Sequence, residues 1–221
     1  MARRLVTRSQ IAALLLDLDG TLVDSEPLHR ERYRVWFEQR GWPYDDSVAA
    51  QFTGRRADDV FRTVDGPWRG EDPDALLAEI LALDALHRLP EPVIGAVQAV
   101  AGARAAGIPL ALVTSAGRGW VDRVLAPFGG VEAFTATVTR EDITTGKPDP
   151  ACYALACERL GVAPAAAVAC EDAPDGVRSA AAAGVGVVVG VTTSFTAREL
   201  SDAGATRTLP DLTTLPALLG G

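Results

Sequence analysis

Two carboxylates, Asp17 and Asp19, stand two positions apart at the end of an apolar run that begins at Ile11. Such a run is typical of a buried β-strand, in which residues two apart point to the same side. We therefore expect both side chains to face one site, with Gly20 turning the backbone away. Because neighbouring acids repel each other, we also expect a cation beside them. A strand that ends in a solvated acidic turn is the alternative.

Polar side chains also follow the other apolar runs in the C-terminal two thirds of the chain. Ligands of open parallel sheets bind beyond the carboxyl ends of the strands, so these side chains are candidates for the same site. Lys147, in a loop before a predicted helix, is the only lysine of the chain, which suggests that a compact ammonium group is needed there. The other residues at strand ends are Thr114, Ser115, Glu171, Asp172 and Asp175.

This set of side chains suits phosphate chemistry with a divalent cation. Carboxylates supply the oxygen ligands that Mg²⁺ prefers in proteins. A lysine and a hydroxyl group can bind the remaining phosphate oxygens, and a carboxylate can attack phosphorus to form an aspartyl phosphate. Each feature is common by itself, and their combination favours a phosphoryl-transfer site.

The pattern of the C-terminal two thirds predicts the scaffold of that site. Apolar runs alternate with short segments of helical period, which is typical of parallel βαβ units covered on both faces. We therefore predict an α/β core with a doubly wound, Rossmann-like parallel sheet. The predicted strands are 11–16, 108–114, 133–138, 166–170, 185–191 and 206–209. The predicted helices are 93–106, 119–128, 150–160, 174–183 and 212–219.

Residues 25–92 differ from the rest of the chain because they are charged, rich in aromatic residues and helical in period, with no strand pattern. We predict an all-helical cap domain inserted after the first strand and lying over the strand ends. The catalytic core would then comprise residues 1–24 and 93–221. The helices predicted in the cap are 29–39, 57–64 and 74–89.

Composition excludes several functional classes. The chain has 221 residues and a formal net charge of −8, whereas nucleic-acid binding needs clustered basic residues. The apolar run at 11–16 is too short for a signal peptide or a membrane span. Three cysteines, Cys152, Cys157 and Cys170, lack metal-type spacing and are predicted to be reduced and buried. We expect a cytoplasmic monomer with no nucleic-acid or membrane partner.

Four segments resemble, in order, the motifs of the haloacid dehalogenase superfamily. They are DLDGTLVD at 17–24, VTS at 113–115, GKPD at 146–149 and EDAPDG at 171–176. The resemblance spans essentially the whole chain, and the first motif is highly specific. The helical segment after it resembles the cap of the β-phosphoglucomutase-like branch, which includes sugar-phosphate phosphatases. SEPLH at 25–29 and TGR at 53–55 are similar to features of that cap.

The resemblance implies phosphoryl transfer in two steps. Asp17 would be the nucleophile, and Asp19 would protonate the leaving oxygen and later deprotonate the attacking water. The phosphoryl group would be bound by Thr114, Ser115 and Lys147. Dehalogenases that resemble the name-giving enzymes lack the second acid of the first motif, so Asp19 favours phosphate chemistry.

The resemblance also implies a Mg²⁺ site built from the same strand ends. The metal ligands would be Asp17, the backbone carbonyl of Asp19 and Asp172, with Glu171 in the same shell or the next one. Asp175 is a weaker candidate, because its position also suits an acid that interacts with the dipole of a helix N-terminus.

Substrate selection in this branch is a property of the cap. His29, Arg55 and Arg56 are candidate substrate contacts, with capping, packing or a solvated helix start as alternatives. The mutases of the branch use a lysine and an arginine around the segment equivalent to 52–59, and this chain has no lysine there. We therefore predict a Mg²⁺-dependent phosphatase of a small phosphate ester, such as a sugar or polyol phosphate. A β-phosphoglucomutase-type mutase and a non-catalytic phosphate-binding module are the alternatives.

Overall fold

A computed structural model describes residues 11–83 and 88–218 of the chain. A single parallel sheet forms the centre of the described residues. Its strands are β1 (Ala13–Leu16), β2 (Leu110–Val113), β3 (Ala136–Val138), β4 (Ala167–Glu171), β5 (Val187–Val191) and β6 (Arg207–Leu209). They are arranged in the order β3-β2-β1-β4-β5-β6, and each neighbouring pair is parallel. The predicted doubly wound α/β core is confirmed.

Alternate residues of the central strand belong to two hydrophobic clusters, one on each face of the sheet. Leu14 and Leu16 pack in one cluster, and Ala13 and Leu15 pack in the other. This is why the strand is apolar throughout: both of its faces are covered by helices. The first face is covered by α5 (Ala96–Ala105), α6 (Arg118–Val124) and α10 (Leu215–Leu218). The second is covered by α7 (Ala151–Leu160), α8 (Pro174–Ala182) and α9 (Ala197–Ala203).

Between β1 and α5 the chain forms a helical insert with a hydrophobic cluster of its own. The helices of this insert are α1 (Glu26–Gln39), α2 (Asp46–Phe52), α3 (Ala57–Thr63) and α4 (Pro73–Ala82). Aromatic rings dominate the cluster, and Trp36 and Phe37 lie in edge-to-face contact at a centroid distance of 5.3 Å. The insert therefore packs around its own aromatic residues.

The two segments that join the insert to the core run side by side. The amide of Asp24 donates to the carbonyl of Glu91 over 2.8 Å, and the amide of Val93 donates to the carbonyl of Leu22 over 2.9 Å. Both joints therefore lie at one place beside the first strand. The predicted division into a core and a cap at residues 24/25 and 92/93 stays a prediction, and residues 1–10, 84–87 and 219–221 lie outside the described part of the chain.

Two helices end at least four residues earlier than predicted. The helix predicted at 74–89 ends at Ala82, and Leu83 takes an extended conformation; Pro90 also disfavours helix in the residue before it. The helix predicted at 119–128 ends at Val124, and a separate 3₁₀ turn follows at Ala126–Phe128. Pro127 explains that break, because proline has no amide hydrogen to continue the α-helical ladder.

Helix α2 has no counterpart among the predicted elements. It has only seven residues, which is too short for a clear periodic signal. Its start is marked by Asp45, whose side chain accepts hydrogen bonds from the amides of Ser47 and Val48. This N-cap was the available sequence signal.

The three cysteines are buried free thiols, as predicted. In the part of the chain that the structure describes, none of the helices combines the length and the apolarity needed to span a membrane.

Candidate active site

The predicted site residues surround one cavity of about 780 Å³ at the carboxyl edge of the sheet. Strand order explains the convergence, because β1 lies between β2 and β4 and the residues after all three strands meet. The helical insert forms the opposite wall. The predicted residues that line the cavity are Asp17, Asp19, His29, Arg55, Arg56, Thr114, Ser115, Lys147, Glu171 and Asp172.

Lys147 joins two of the strand ends. Its Nζ lies 2.5 Å from Oδ1 of Asp17, donates to Oε1 of Glu171 and lies 3.2 Å from the carbonyl of Val113. The lysine side chain is only 3% exposed. Burial opposes its charge, but the carboxylates of Asp17 and Glu171 outweigh burial and raise the pKa of Lys147 above its ordinary value. The cation expected beside the acids is therefore this ammonium group.

One ammonium group faces three buried carboxylates. Burial, followed by repulsion from Glu171, raises the pKa of Asp17 to about 8. Burial and the charges of Asp17 and Glu171 likewise raise the pKa of Asp172 well above its ordinary value. The cluster thus carries more acidic groups than Lys147 can neutralise, which is an environment that favours a second cation.

The donor set fits a divalent metal ion. Ligand atoms of Asp17, Glu171 and Asp172 all lie within 4.8 Å of one another. Close packing shapes this cluster: a Cβ at Gly20, whose φ is 81°, would lie 2.0 Å from Oδ2 of Asp172. A Cβ at Gly176 would lie 2.0 Å from the carboxyl carbon of Glu171. All-oxygen ligands of this kind suit Mg²⁺.

Asp19 faces the same cavity but has different partners from Asp17. Its Oδ1 accepts hydrogen bonds from Oγ of Ser25 at 2.5 Å and Nε1 of Trp120 at 2.9 Å, and lies 3.1 Å from Nε2 of His29. Burial alone would raise the pKa of Asp19, but the contacts with His29, Ser25 and Trp120 outweigh it and lower the pKa. The surroundings of the two acids of the first motif therefore shift their pKa values in opposite directions, upward for Asp17 and downward for Asp19.

Thr114 and Ser115 follow strand β2 and line the cavity. Thr114 is buried, and its Oγ1 accepts a hydrogen bond from the amide of Ala116 over 3.0 Å. That bond fixes the turn after the strand and holds the hydroxyl group beside the acidic cluster.

The candidate substrate contacts of the insert lie at the cavity, and each also contacts the core. His29 lies against Asp19, and Nε of Arg55 lies 3.5 Å from Oδ2 of Asp175. Arg56 is buried, and its Nη2 donates over 3.2 Å to the carbonyl of Arg140 in the core. Their action on a substrate stays a prediction.

A salt bridge adds to this contact between insert and core. Nη2 of Arg140 lies 2.6 Å from Oδ1 of Asp58, at the start of α3. Burial alone would raise the pKa of Asp58, but Arg140 and Arg62 outweigh it and lower the pKa. Asp58 is therefore held ionised where the insert meets the core.

Asp175 lies apart from the metal-type cluster. Its carboxylate contacts Arg55, and it accepts a hydrogen bond from Nη1 of Arg178 over 2.8 Å. The described metal-type cluster of Asp17, Glu171 and Asp172 does not include it. The backbone carbonyl of Asp19 as a metal ligand stays a prediction.

Three residues of the site were not predicted as functional. Ser25 and Trp120 contact Asp19, and the hydroxyl of Tyr153 donates to Oε1 of Glu171 over 2.7 Å. Nζ of Lys147 also lies 5.4 Å from the centre of the Tyr153 ring. Ser25 belongs to the SEPLH segment, so a sequence signal existed for it. Trp120 and Tyr153 lie outside the four motifs, so the sequence offered no such signal for them.

Comparisons with known proteins agree with this geometry. Validoxylamine A 7'-phosphate phosphatase of Streptomyces hygroscopicus subsp. limoneus is 38% identical over 191 residues, which cover 86% of this chain and 89% of that protein. Hexitol phosphatase A of Escherichia coli (strain K12) is 35% identical over 178 residues, covering 79% of this chain and 80% of its own.

Solved structures show the same fold. CbbY from Rhodobacter sphaeroides in complex with phosphate superposes with a TM-score of 0.79 at 29% identity, covering 96% of this chain and 100% of its own. A putative β-phosphoglucomutase from Bacteroides vulgatus superposes with a TM-score of 0.83 at 26% identity. The match covers 95% of this chain and 89% of that protein.

The family model of the haloacid dehalogenase-like hydrolases matches residues 11–184. That span contains all four motifs and every residue of the acidic cluster. The chain therefore belongs to the haloacid dehalogenase-like hydrolase family.

Proposed function

We propose that this protein is a Mg²⁺-dependent phosphatase of a small phosphorylated metabolite, of the sugar-phosphate or polyol-phosphate class. The observation that carries the proposal is the contact of Lys147 with both Asp17 and Glu171, beside Asp172. This arrangement combines a nucleophilic carboxylate, a phosphate-binding cation and a metal-type cluster. Two relatives, validoxylamine A 7'-phosphate phosphatase and hexitol phosphatase A, support the substrate class.

Mg²⁺ would be held by the carboxylates of Asp17 and Asp172 and the backbone carbonyl of Asp19, with Glu171 in the same shell or the next. When bound, it supplies positive charge that offsets the charge of the phosphoryl oxygens. Tyr153 and Lys147 both donate to Oε1 of Glu171 and hold its carboxylate in place.

In the first step Asp17 attacks phosphorus through a carboxylate oxygen. The bond from phosphorus to the leaving oxygen breaks. Asp19, protonated when the negatively charged substrate binds beside it, donates its proton to that oxygen, which leaves as an alcohol. The phosphoryl group is then bonded to Asp17 as an aspartyl phosphate. Lys147 opposes the rise in the pKa of Asp17 that burial and Glu171 cause, and a bound Mg²⁺ would favour the ionised form that this attack requires.

In the second step water attacks the phosphorus of the aspartyl phosphate. Asp19, now ionised, accepts a proton from the water, and the bond between phosphorus and the Asp17 oxygen breaks. Inorganic phosphate is released, and both acids return to their starting states. One residue thus serves as acid and then as base, which balances the protons over the cycle.

Thr114, Ser115 and Lys147 bind the phosphoryl group in both steps. Its transition state spreads negative charge over three equatorial oxygens, so catalysis depends on fixed positive charge and hydrogen-bond donors. The Lys147 ammonium group supplies the charge, and the hydroxyl group of Thr114 supplies a donor. Ser115 contributes its backbone amide.

The helical insert would select the substrate. It contributes His29, Arg55 and Arg56 to the cavity wall, together with the aromatic Tyr33 and Phe52. Arginine guanidinium groups donate hydrogen bonds to hydroxyl and anionic groups, and aromatic faces suit sugar rings.

A panel of phosphate esters, assayed with and without Mg²⁺, tests the proposal. We expect Mg²⁺-dependent phosphate release from sugar or polyol phosphates, and Asp17→Asn should lower turnover by roughly 10⁴-fold or more. Asp122→Asn, an exposed acid on α6, is the matched control and should retain activity.

Two outcomes would overturn the proposal. Conversion of β-glucose 1-phosphate without net phosphate release would identify a mutase. Absence of turnover and of Mg²⁺ binding would identify a phosphate-binding module.

A further inference from the structure

Trp120 is a core residue whose indole reaches the first motif. It lies in the first turn of α6 and lines the cavity. Its Nε1 donates a hydrogen bond to Oδ1 of Asp19 over 2.9 Å, across 101 positions of sequence. An indole N–H can only donate, so the bond has a defined direction.

Three contacts converge on this one carboxylate oxygen. Besides the bond from Trp120, Oδ1 of Asp19 accepts a hydrogen bond from Oγ of Ser25 at 2.5 Å. It also lies 3.1 Å from Nε2 of His29. Ser25 and His29 approach from the start of α1, whereas Trp120 approaches from the core. Contacts from two sides fix the rotation of the carboxylate, and with it the direction of its other oxygen.

The indole is itself held in place by its neighbours. The ring of His29 lies 5.5 Å from the Trp120 ring at an angle of 54°. The guanidinium carbons of Arg32 and Arg123 lie 5.9 and 5.7 Å from the ring centre. Cation–π contacts of this kind restrict a ring that would otherwise rotate about its side-chain torsions.

We propose that Trp120 is a positioning residue that aims the Asp19 carboxyl group at the oxygen entering or leaving the phosphoryl group. This inference rests on the proposed function of Asp19 as the acid and base of the reaction. Trp120 keeps its own N–H proton throughout and exchanges none with the substrate. Its effect is geometric, and a displacement of about 1 Å in a catalytic group can cost 10²-fold in rate.

Leaving groups distinguish positioning from a role as a cavity wall. Alkyl phosphates release a basic alkoxide and need the proton of Asp19, whereas p-nitrophenyl phosphate releases a stable phenolate and does not. The ratio kcat/KM reports the steps from free enzyme and substrate up to departure of the leaving group, and not the later hydrolysis of the aspartyl phosphate. A wall that stacks on a sugar ring would favour sugar phosphates but would not affect ethyl phosphate, which has no ring.

The test compares Trp120→Phe with wild type on a hexose phosphate, ethyl phosphate and p-nitrophenyl phosphate. Phe keeps an aromatic ring, although a smaller one, and removes the N–H. We expect kcat/KM to fall about 10- to 100-fold for both alkyl phosphates and by about twofold or less for p-nitrophenyl phosphate. Trp36→Phe is the matched control, because it removes an indole donor to Glu79 within the insert and should leave all three values unchanged.

Two other outcomes are informative. An equal loss on all three substrates, or a loss confined to the hexose phosphate, overturns the positioning role. The proposed function is tested separately by wild type, which must hydrolyse the esters, and by Asp19→Asn, which must lose alkyl phosphates selectively. If Asp19→Asn loses all three equally, the acid role of Asp19 fails, whatever Trp120 does. Thermal unfolding of each variant shows that it is folded.

Discussion

Nζ of Lys147 lies 2.5 Å from Oδ1 of Asp17, although 130 positions separate the two residues in the chain. The contact joins the loop before α7 to the end of β1 and is buried from solvent. The proposed nucleophile and the proposed phosphate-binding cation are thus in place together. We therefore expect both stability and catalysis to depend on this pair, and each dependence can be measured in its own experiment.

Lys147→Met should destabilise the protein, because it leaves buried carboxylates without their ammonium partner. We expect the free energy of unfolding to fall by about 3–5 kcal/mol in Mg²⁺-free buffer at pH 7, and by less when MgCl₂ is added. Urea unfolding measures both values. Arg198→Met, which removes an exposed partner of Asp202, should cost less than about 1 kcal/mol. An equal effect of the two substitutions would contradict the importance of the buried pair.

Asp172→Asn should abolish stabilisation by Mg²⁺. A ligand that binds only the folded state at 100 times its Kd adds about 2.7 kcal/mol, so wild type should show a higher Tm with MgCl₂. Asp175→Asn is the matched control, because Asp175 lies three positions further on but outside the acidic cluster. We expect it to keep the Tm increase. A variant Asp172→Asn that keeps the increase would place the metal elsewhere.

Arg55→Ala should change substrate preference more than Mg²⁺ affinity. Its guanidinium group lines the cavity and contacts Asp175, whereas Arg178 contacts the same carboxylate and is not among the cavity-lining residues. We expect KM to rise about 10-fold or more for the best substrate in Arg55→Ala, from loss of a charge-assisted hydrogen bond, and to stay unchanged in Arg178→Ala. Arg56→Ala should also alter preference and, in addition, loosen the contact with Arg140. If Arg55→Ala and Arg56→Ala both show the substrate preference of the wild type, a substrate role for these arginines is refuted.

Asp58→Asn should reduce stability at neutral pH but not in acid. The pKa of Asp58 is lowered in the folded protein, so the ionised side chain contributes stability above the ordinary pKa of about 3.9 and loses it as the pH falls through the lowered value. We expect a cost of about 2 kcal/mol at pH 7 that shrinks below about pH 4. Asp65→Asn, at an exposed pair with Arg69, should cost less than about 1 kcal/mol. A difference between wild type and Asp58→Asn that does not depend on pH would contradict this account.

Much of the core and of the acidic site could be predicted because all strands of a parallel sheet end at the same edge. Once 11–16 and 166–170 are strands of one parallel sheet, the acids that follow them must meet at one edge. The position of Lys147 followed from its being the only lysine of the chain. The strand pattern and the parallel topology that it implies were therefore enough to predict most of the acidic site.

Contacts between the insert and the core could not be predicted from the sequence. Trp120 lies outside the four motifs, and the oxygen that accepts its hydrogen bond lies 101 positions away in the sequence. The pair of Arg140 and Asp58 depends on how α3 packs against the loop after β3. Such contacts are set by three-dimensional packing, which neither periodicity nor spacing encodes.

In the proposed mechanism Asp17 carries the phosphoryl group and Asp19 moves the protons. Asp19→Asn with p-nitrophenyl phosphate tests both parts, because the first step needs no acid for this leaving group and the second step lacks its base. We predict a rapid burst of about one p-nitrophenolate per active site, followed by slow turnover. Borohydride reduction of the quenched enzyme should convert residue 17 to homoserine. A linear time course with unmodified Asp17, in an enzyme whose wild type hydrolyses the ester, would contradict the account.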